Sequence, residues 1–294
     1  MIFKMNDKGA CQIDGINYPA VGFGTYPLQG EICFNAVTHA GKLGYRIIDT
    51  ATFYQNLTEI GKVLKILIRE QFYIISKVWP DSQTPEGLRK DIQSTLSQLQ
   101  TAYLDAYLIH WPNHKIPIEK TLSTMAEFRN AGLIRHIGFS NVTVNHLKRI
   151  LELKIPIEWV QIEMHPFFYD PALLQFCQEK LIAVQAWAPL AQGRISDDPL
   201  LNQLAKRYGK TVAQVCLNWI VQHHCVPLPG SQNEQHIKQN LDINDFRLSP
   251  EDMNAIDSRA AIGQRLRITP DRDLGFTDEF DFSYDQCWPK AASP

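Results

Sequence analysis

The sequence predicts an α/β protein of the (β/α)8 TIM-barrel class, with an N-terminal β-hairpin and an extra C-terminal helix and tail. Three observations predict it. Short apolar runs alternate with segments of helical period along the chain, the pattern of repeated β-α units on a parallel sheet. Eight such runs can be counted. Several of them end in polar residues suited to acid–base chemistry, and the C-terminal ends of strands are where barrels of this class carry their sites.

Taken in order, Ile2–Met5 and Cys11–Ile13 flank Asn6-Asp7-Lys8-Gly9, a turn sequence that predicts a hairpin within residues 1–15, placed over the barrel floor. Strands are expected at Ala20–Gly24, Arg46–Asp49, Tyr73–Lys77, Leu104–Ile109, Ile134–Phe139, Trp159–Ile162, Ile182–Ala186 and Val226–Leu228. Helical stretches lie between them. In Thr84–Leu99, residues Leu88, Ile92, Leu96 and Leu99 fall on one face. Thr211–Gln222 is another, with Val212, Val215, Leu217 and Trp219 set among Gln and Asn. Ser249-Pro250-Glu251 starts the extra helix, and a tail over 259–294 follows, rich in charge and aromatics. No low-complexity linker divides the chain, so residues 1–294 read as a single barrel domain; such barrels run to about 250 residues around one core. An open doubly wound sheet fits the same alternation. Its nucleotide fingerprint is incomplete, because Gly22-Phe23-Gly24-Thr25-Tyr26-Pro27 lacks the third glycine and the acidic residue that should follow.

Composition narrows the partners. Hydrophobic residues make up 45% and charged residues 20%, as in ordinary globular proteins. Lys plus Arg total 29 against 31 acidic residues, so no global field draws nucleic acid or an anionic membrane. A small-molecule partner is expected. Met1 to Gly15 lacks a signal-peptide core, and no run approaches the roughly 20 apolar residues of a membrane span, so the expected location is cytoplasmic. The six cysteines are scattered, without zinc spacing, and read as reduced structural thiols; no metal is expected. Asn56-Leu57-Thr58 and Asn141-Val142-Thr143 are glycosylation triplets that matter only in a secreted chain.

Asp49 ends the second expected strand, Lys77 the third, and His110 and Ser140-Asn141 follow the fourth and fifth; Tyr54 lies five residues beyond Asp49. Each has an ordinary alternative: an Asp caps helices, a Lys is a solvated charge, a His beside Trp111 packs. Convergence of four on one rim argues for chemistry. A phenol has an ordinary pKa of about 10, and a nearby ammonium favours the phenolate. Lys77 is placed to do this for Tyr54, Asp49 to keep Lys77 charged, and His110 to donate to a carbonyl oxygen. None of the four stores a hydride, so a cofactor is required.

The sequence resembles the aldo-keto reductase family over nearly its whole length. Gly44-Tyr45-Arg46-Ile47-Ile48-Asp49-Thr50-Ala51 with Tyr54 and Asn56 is similar to one family signature. Ile75-Ser76-Lys77-Val78-Trp79, Leu108-Ile109-His110-Trp111-Pro112 and Ile137-Gly138-Phe139-Ser140-Asn141 are similar to others. The resemblance implies a monomeric NAD(P)H-dependent reductase with Tyr54 as general acid and Asp49, Lys77 and His110 completing a tetrad. It implies that Ser140, Asn141 and Gln161 bind the nicotinamide carboxamide and that Trp187 stacks on the ring, followed by Ala188 and Leu190. Ser231, His236 and Asn240 then meet the adenosine end. Trp187, where many relatives have Tyr, resembles the branch that reduces 2,5-diketo-gluconate and related dicarbonyls. Tyr26, Trp79 and Trp111 are the expected pocket walls, with Trp288 from the tail; Arg265 and Arg267 meet a cofactor phosphate or an acidic substrate, or form exposed salt bridges.

Two departures stand out. Gly230 and His236 occupy positions where the family usually has Lys and Arg, so both NADP(H) and NAD(H) are expected as cofactors. Leu57 replaces a frequent Glu. Two other functions fit parts of the pattern: a Schiff-base aldolase using Lys77, and a nucleotide-binding redox sensor with little turnover.

Overall fold

The computed structural model describes residues 3–6, 10–113 and 115–260. It opens with a three-stranded antiparallel sheet: β1 (Phe3–Met5), β2 (Ala10–Ile13) and β3 (Ile16–Pro19). The first two are the expected hairpin. The third was not expected, although its turn is legible in retrospect. Asp14 and Gly15 both have positive φ, 49° and 87°, and Ile13 pairs with Ile16, which makes a two-residue Asp-Gly hairpin. Cys11, Ile13 and Tyr18 pack with Ile47, Tyr73, Ile75 and Trp159. This sheet therefore closes the barrel floor.

Eight parallel strands follow, neighbours in chain order: β4 (Phe23–Gly24), β5 (Ile47–Asp49), β6 (Tyr73–Val78), β7 (Leu104–Ile109), β8 (Ile134–Ser140), β9 (Trp159–Glu163), β10 (Ala183–Trp187) and β11 (Cys225–Pro227). The intervening helices are α1 (Gly30–Leu43), α2 (Leu57–Ile66), α3 (Pro85–Leu99), α4 (Ile118–Asn130), α5 (Val144–Glu152), α6 (Pro171–Glu179), α7 (Pro199–Tyr208) and α8 (Val212–Gln222). Then come α9 (Glu234–Leu241) and the extra helix α10 (Pro250–Ala260). The sequence reading missed α7, so two helices separate β10 from β11. Thr84 and Thr211, expected as first helical residues, are instead caps whose side chains accept from Gly87 N and Gln214 N. The tail residues Arg265, Arg267 and Trp288 lie outside the described residues.

Strand alternation decides what faces the barrel interior. On β6, Tyr73 and Ile75 join the inner cluster while Ile74 and Val78 pack beneath the helices. Lys77, two residues past Ile75, is thereby aimed inward and is fully buried. On β5, Ile47 faces in and Ile48 out, which sends Asp49 inward beside it.

The barrel closes across a seam between its first and last strands. Gly22 N donates to Pro227 O at 3.0 Å and Gly24 N to Pro229 O at 3.1 Å. A Cβ on Gly24 would lie 2.5 Å from Leu228 O, and one on Gly230 would lie 2.4 Å from Gly24 O. These glycines permit backbone contact rather than cradling a pyrophosphate, which resolves the doubly wound alternative. The expected strand Ala20–Gly24 is cut to Phe23–Gly24 because Gly22 bonds across the seam and the ladder with β5 begins at Phe23.

Past Ser140 and Asn141 the chain enters α5 through a capping box. Thr143 Oγ1 accepts from His146 N at 3.3 Å and His146 Nδ1 accepts from Thr143 N at 3.0 Å. Burial pushes the His146 imidazole down from 6.5 to about 3. The unfolded chain takes up this proton below about pH 6.5 while the folded chain resists until near pH 3, so stability is lost as pH falls through that window, approaching about 1.4 kcal/mol per unit. His146→Gln keeps an acceptor for Thr143 N–H and removes the titration. Urea unfolding at pH 7 and 5.5 is expected to show the variant losing about 1 kcal/mol less than the wild type.

Candidate active site

At the C-terminal ends of the strands lies a cleft of about 890 Å³. Its lining includes Tyr26, Asp49, Tyr54, Trp79, His110, Trp111, Ser140, Asn141, Gln161, Trp187, Ala188, Leu190, Gly230, Ser231, His236 and Asn240. Among the described residues, all the expected site residues thus meet in one cavity except Lys77, which sits behind it.

Lys77 Nζ donates to Asp49 Oδ2 at 2.7 Å, to Thr50 O at 3.1 Å and to Tyr54 Oη at 3.1 Å. All three ammonium protons are used. Burial pushes the Lys77 amine down from its ordinary value, and the Asp49 carboxylate opposes that shift. Because Tyr54 Oη accepts from Lys77, its own O–H is left to point elsewhere. The His110 ring stands edge-on to the Tyr54 ring at 5.5 Å, and the Tyr26 ring lies 5.0 Å from it, tilted by 52°.

Tyr54 sits on a short 3-10 turn, Thr52–Tyr54, between β5 and α2. Thr52 Oγ1 donates to Lys77 O at 3.1 Å. Asn56 Nδ2 donates to Thr25 O and Leu28 O, and Asn56 Oδ1 accepts from Thr50 Oγ1 at 2.7 Å. One buried amide therefore ties the Tyr54 turn to the loop bearing Tyr26. Leu57, the departure from the family's Glu, is buried in the core beneath α2.

The next strands supply a polar floor. Asn141 Nδ2 donates to His110 O at 2.9 Å and Ser140 Oγ at 3.0 Å, while its Oδ1 accepts from Trp187 Nε1 at 2.9 Å. Asn141 thereby braces the half-exposed indole. Gln161 Nε2 donates to Asp49 Oδ1 at 2.7 Å and to Gln185 Oε1 at 2.9 Å. Gln185, which the sequence reading overlooked, was detectable: it lies two residues before Trp187 and so shares its face of β10.

The walls differ in part from expectation. Trp111 is only 4% exposed and contributes little surface. Phe53, not foreseen, is 42% exposed and stacks on Trp79 with centroids 4.1 Å apart and planes 13° from parallel. At the far end Ser231, His236, Gln239 and Asn240 line the cavity, joined by Gln192, Gly193, Ile195, Ser196 and Thr211–Ala213.

A family model, the aldo/keto reductase family, matches residues 20–261. The chain belongs to the aldo/keto reductase family. The reductase is 38% identical over 266 residues to glyoxal reductase from Bacillus subtilis strain 168, covering 88% of this chain and 94% of the relative. Among solved structures it resembles a putative 2,5-diketo-D-gluconic acid reductase B, with a TM-score of 0.84 and 32% identity, over 92% of this chain and 95% of that one. It also resembles a Bombyx mori aldo-keto reductase in complex with NADP, with a TM-score of 0.79 and 30% identity, over 88% and 94%. The reductase is thus an oxidoreductase that reduces carbonyl groups with a nicotinamide cofactor. No helix among the described residues is long and apolar enough to cross a membrane.

The cavity fits such a cofactor. A partly exposed indole held edge-on by Asn141, a polar floor from Ser140 and Gln161, and a second polar end at Ser231 and Asn240 lie along one continuous cleft.

Breaking a buried ion pair from one side leaves the other charge uncompensated, at a cost of about 3–5 kcal/mol. Lys77→Met is expected to destabilise the reductase by about 3 kcal/mol. Adding Asp49→Asn to it should cost far less than the two single changes summed, as read by a urea double-mutant cycle.

Proposed function

We propose that Tyr54 delivers the proton to the oxygen of an aldehyde or ketone, with Asp49, Lys77 and His110 setting its chemistry. The observation that carries this is the 3.1 Å contact between Lys77 Nζ and Tyr54 Oη at the floor of the cleft. When the phenol gives up its proton, the negative charge left on Oη lies against an ammonium that already donates to it. Asp49 keeps that ammonium charged, and His110, beside the Tyr54 ring, positions the carbonyl oxygen. The bound reduced nicotinamide supplies the hydride. Ser140, Asn141 and Gln161 hold its carboxamide, Trp187 gives its ring a flat surface, and Ala188 and Leu190 continue that wall. Ser231, His236 and Asn240 hold the adenosine end.

The aldolase alternative requires Lys77 as a free amine reaching substrate. Its amine is fully buried behind the cleft and donates three hydrogen bonds, which speaks against that reading. The tetrad geometry likewise favours turnover over a sensor.

The names of similar proteins and the compact walls formed by Tyr26, Phe53 and Trp79 support small dicarbonyls or keto-sugars as substrates. The phosphate end supports use of both NADPH and NADH. Gly230 offers no cation, and the seam leaves no room for a side chain there. His236 is exposed in the first turn of α9, beside the acidic Glu234. We also take the enzyme to be a monomer in the cytoplasm. Supporting this, Cys11, Cys33, Cys177, Cys216 and Cys225 are all free and buried, and two of the exposed large apolar residues, Tyr26 and Phe53, belong to the cleft.

Tyr54→Phe is expected to lower kcat for glyoxal or methylglyoxal by about 10²–10⁴-fold, while nucleotide affinity by fluorescence titration stays near that of the wild type. Turnover close to normal would remove Tyr54 from its role. His236→Arg is expected to raise the ratio of kcat/KM for NADPH over NADH by about tenfold. A wild-type preference for NADPH of a thousandfold or more would refute dual use.

A further inference from the structure

Gln185 is buried in the barrel interior, aligned with Gln161 in the register of β10 on β9, and does not line the cleft. Donors and acceptors around it form a chain with one polarity. An ionised Asp49 can only accept. Its Oδ2 takes Lys77 Nζ and its Oδ1 takes one N–H of Gln161 Nε2, each at 2.7 Å. The other N–H of Gln161 goes to Gln185 Oε1 at 2.9 Å. Both donors of the Gln161 amide are then used, and its carbonyl is what it has left to offer the cleft. Gln185 Nε2, by contrast, is buried without a hydrogen-bond partner among the described residues. An amide donor left unsatisfied in a core destabilises the fold, so an apolar residue would be favoured here unless the carbonyl of Gln185 had a task.

We infer that Gln185 is a positioning residue: its carbonyl, accepting from Gln161, holds the Gln161 amide with its N–H groups inward and its carbonyl free to accept from a primary amide on the ligand, such as the nicotinamide carboxamide. This rests on the reductase reading above. Reversing the Gln185 amide would set N–H against N–H; turning Gln161 to suit would press its carbonyl against the Asp49 carboxylate. Removing the Gln185 acceptor instead leaves one N–H of Gln161 unsatisfied and its amide free to rotate.

The neutrality of Gln185 has a second effect. The charged groups facing this part of the barrel are Asp49 from β5 and Lys77 from β6, with Tyr54 and His110 at the rim. On the flanking strands stand Glu163 of β9, hydrogen-bonded to His165, and Cys225 of β11; α6, packed on the outer side of β10, carries Cys177. Burial pushes both thiols up, so neither carries charge. β10 itself has no ionisable side chain. A carboxylate at position 185 would therefore add negative charge whose nearest cation is Lys77.

Two variants test this, Gln185→Leu and Gln185→Glu, with NADP+ affinity measured by protein-fluorescence quenching and kcat/KM measured from pH 6 to 10. Gln185→Leu is expected to bind NADP+ at least fivefold more weakly without a lower Tm. Gln185→Glu, which keeps the acceptor, is expected to bind within twofold of the wild type, with the alkaline limb of kcat/KM moved up by at least half a pH unit. Wild-type affinity in Gln185→Leu overturns the inference. So does weak binding together with an unmoved alkaline limb in Gln185→Glu, a result that decides even if the Leu variant does not fold. Failure of the wild type itself to bind either nucleotide overturns the reductase reading and the inference with it, whereas normal wild-type binding confines any failure to Gln185.

Discussion

A lysine ammonium held inside a barrel, away from water, is the contact around which the rest of this structure is arranged. Desolvation favours loss of its proton, and the contact with Asp49 opposes that. Neither residue is inside by itself. Strand alternation on β5 and β6 turns both inward above a layer built from Ile47, Tyr73 and Ile75, and the N-terminal sheet seals that layer from below. The third proton of the ammonium finds Thr50 O, so the cation is satisfied by groups at and just past the end of β5. Tyr54 inherits its neighbour from this arrangement, because its turn leaves β5 directly over the Lys77 side chain.

A buried cation fixes one end of the contact, and the loops must fix the other. Asn56 binds the Tyr54 turn to the first loop through two backbone carbonyls. Gln83 does comparable work between the next two loops. Its Nε2 donates to Trp111 O at 2.6 Å, its Oε1 accepts from Asn113 N at 3.2 Å, and Asn113 Nδ2 reaches Pro80 O at 3.0 Å. The loops that carry Trp79 and Trp111 are thus joined by side-chain amides that bond backbone, which keeps the aromatic walls at a set separation. Walls braced in this way suit a site whose ligands are small and whose reacting atoms must be aligned.

Much of this was legible in the chain because it depends on local pattern. Short apolar runs located the strands to within a few residues, and strand ends located Asp49, Lys77 and His110. What escaped depends on contacts between distant segments or on irregular geometry. β3 is the exception, since its Asp-Gly turn is a local signal that was passed over, whereas α7 is a second helix in a single β-α connection. Phe53 reads as an unremarkable loop residue until its ring is seen against Trp79. Gln185 carries no signature of its own, since its importance comes from the donor opposite it on β9. The tail expectations for Trp288, Arg265 and Arg267 rest on residues beyond those described.

The glycine seam also bears on how the molecule is made. Gly22 and Gly24 emerge early during synthesis, yet the carbonyls they bond, Pro227 O and Pro229 O, belong to the last strand and the segment just past it. Without that later segment, β4 has one unpaired edge and the cylinder cannot close. The N-terminal three-stranded sheet precedes every barrel strand in the chain and packs on Ile47, Tyr73, Ile75 and Trp159 of the floor. Closure of the cylinder therefore requires β4 and the segment at β11, the first and last strands of the barrel, to meet.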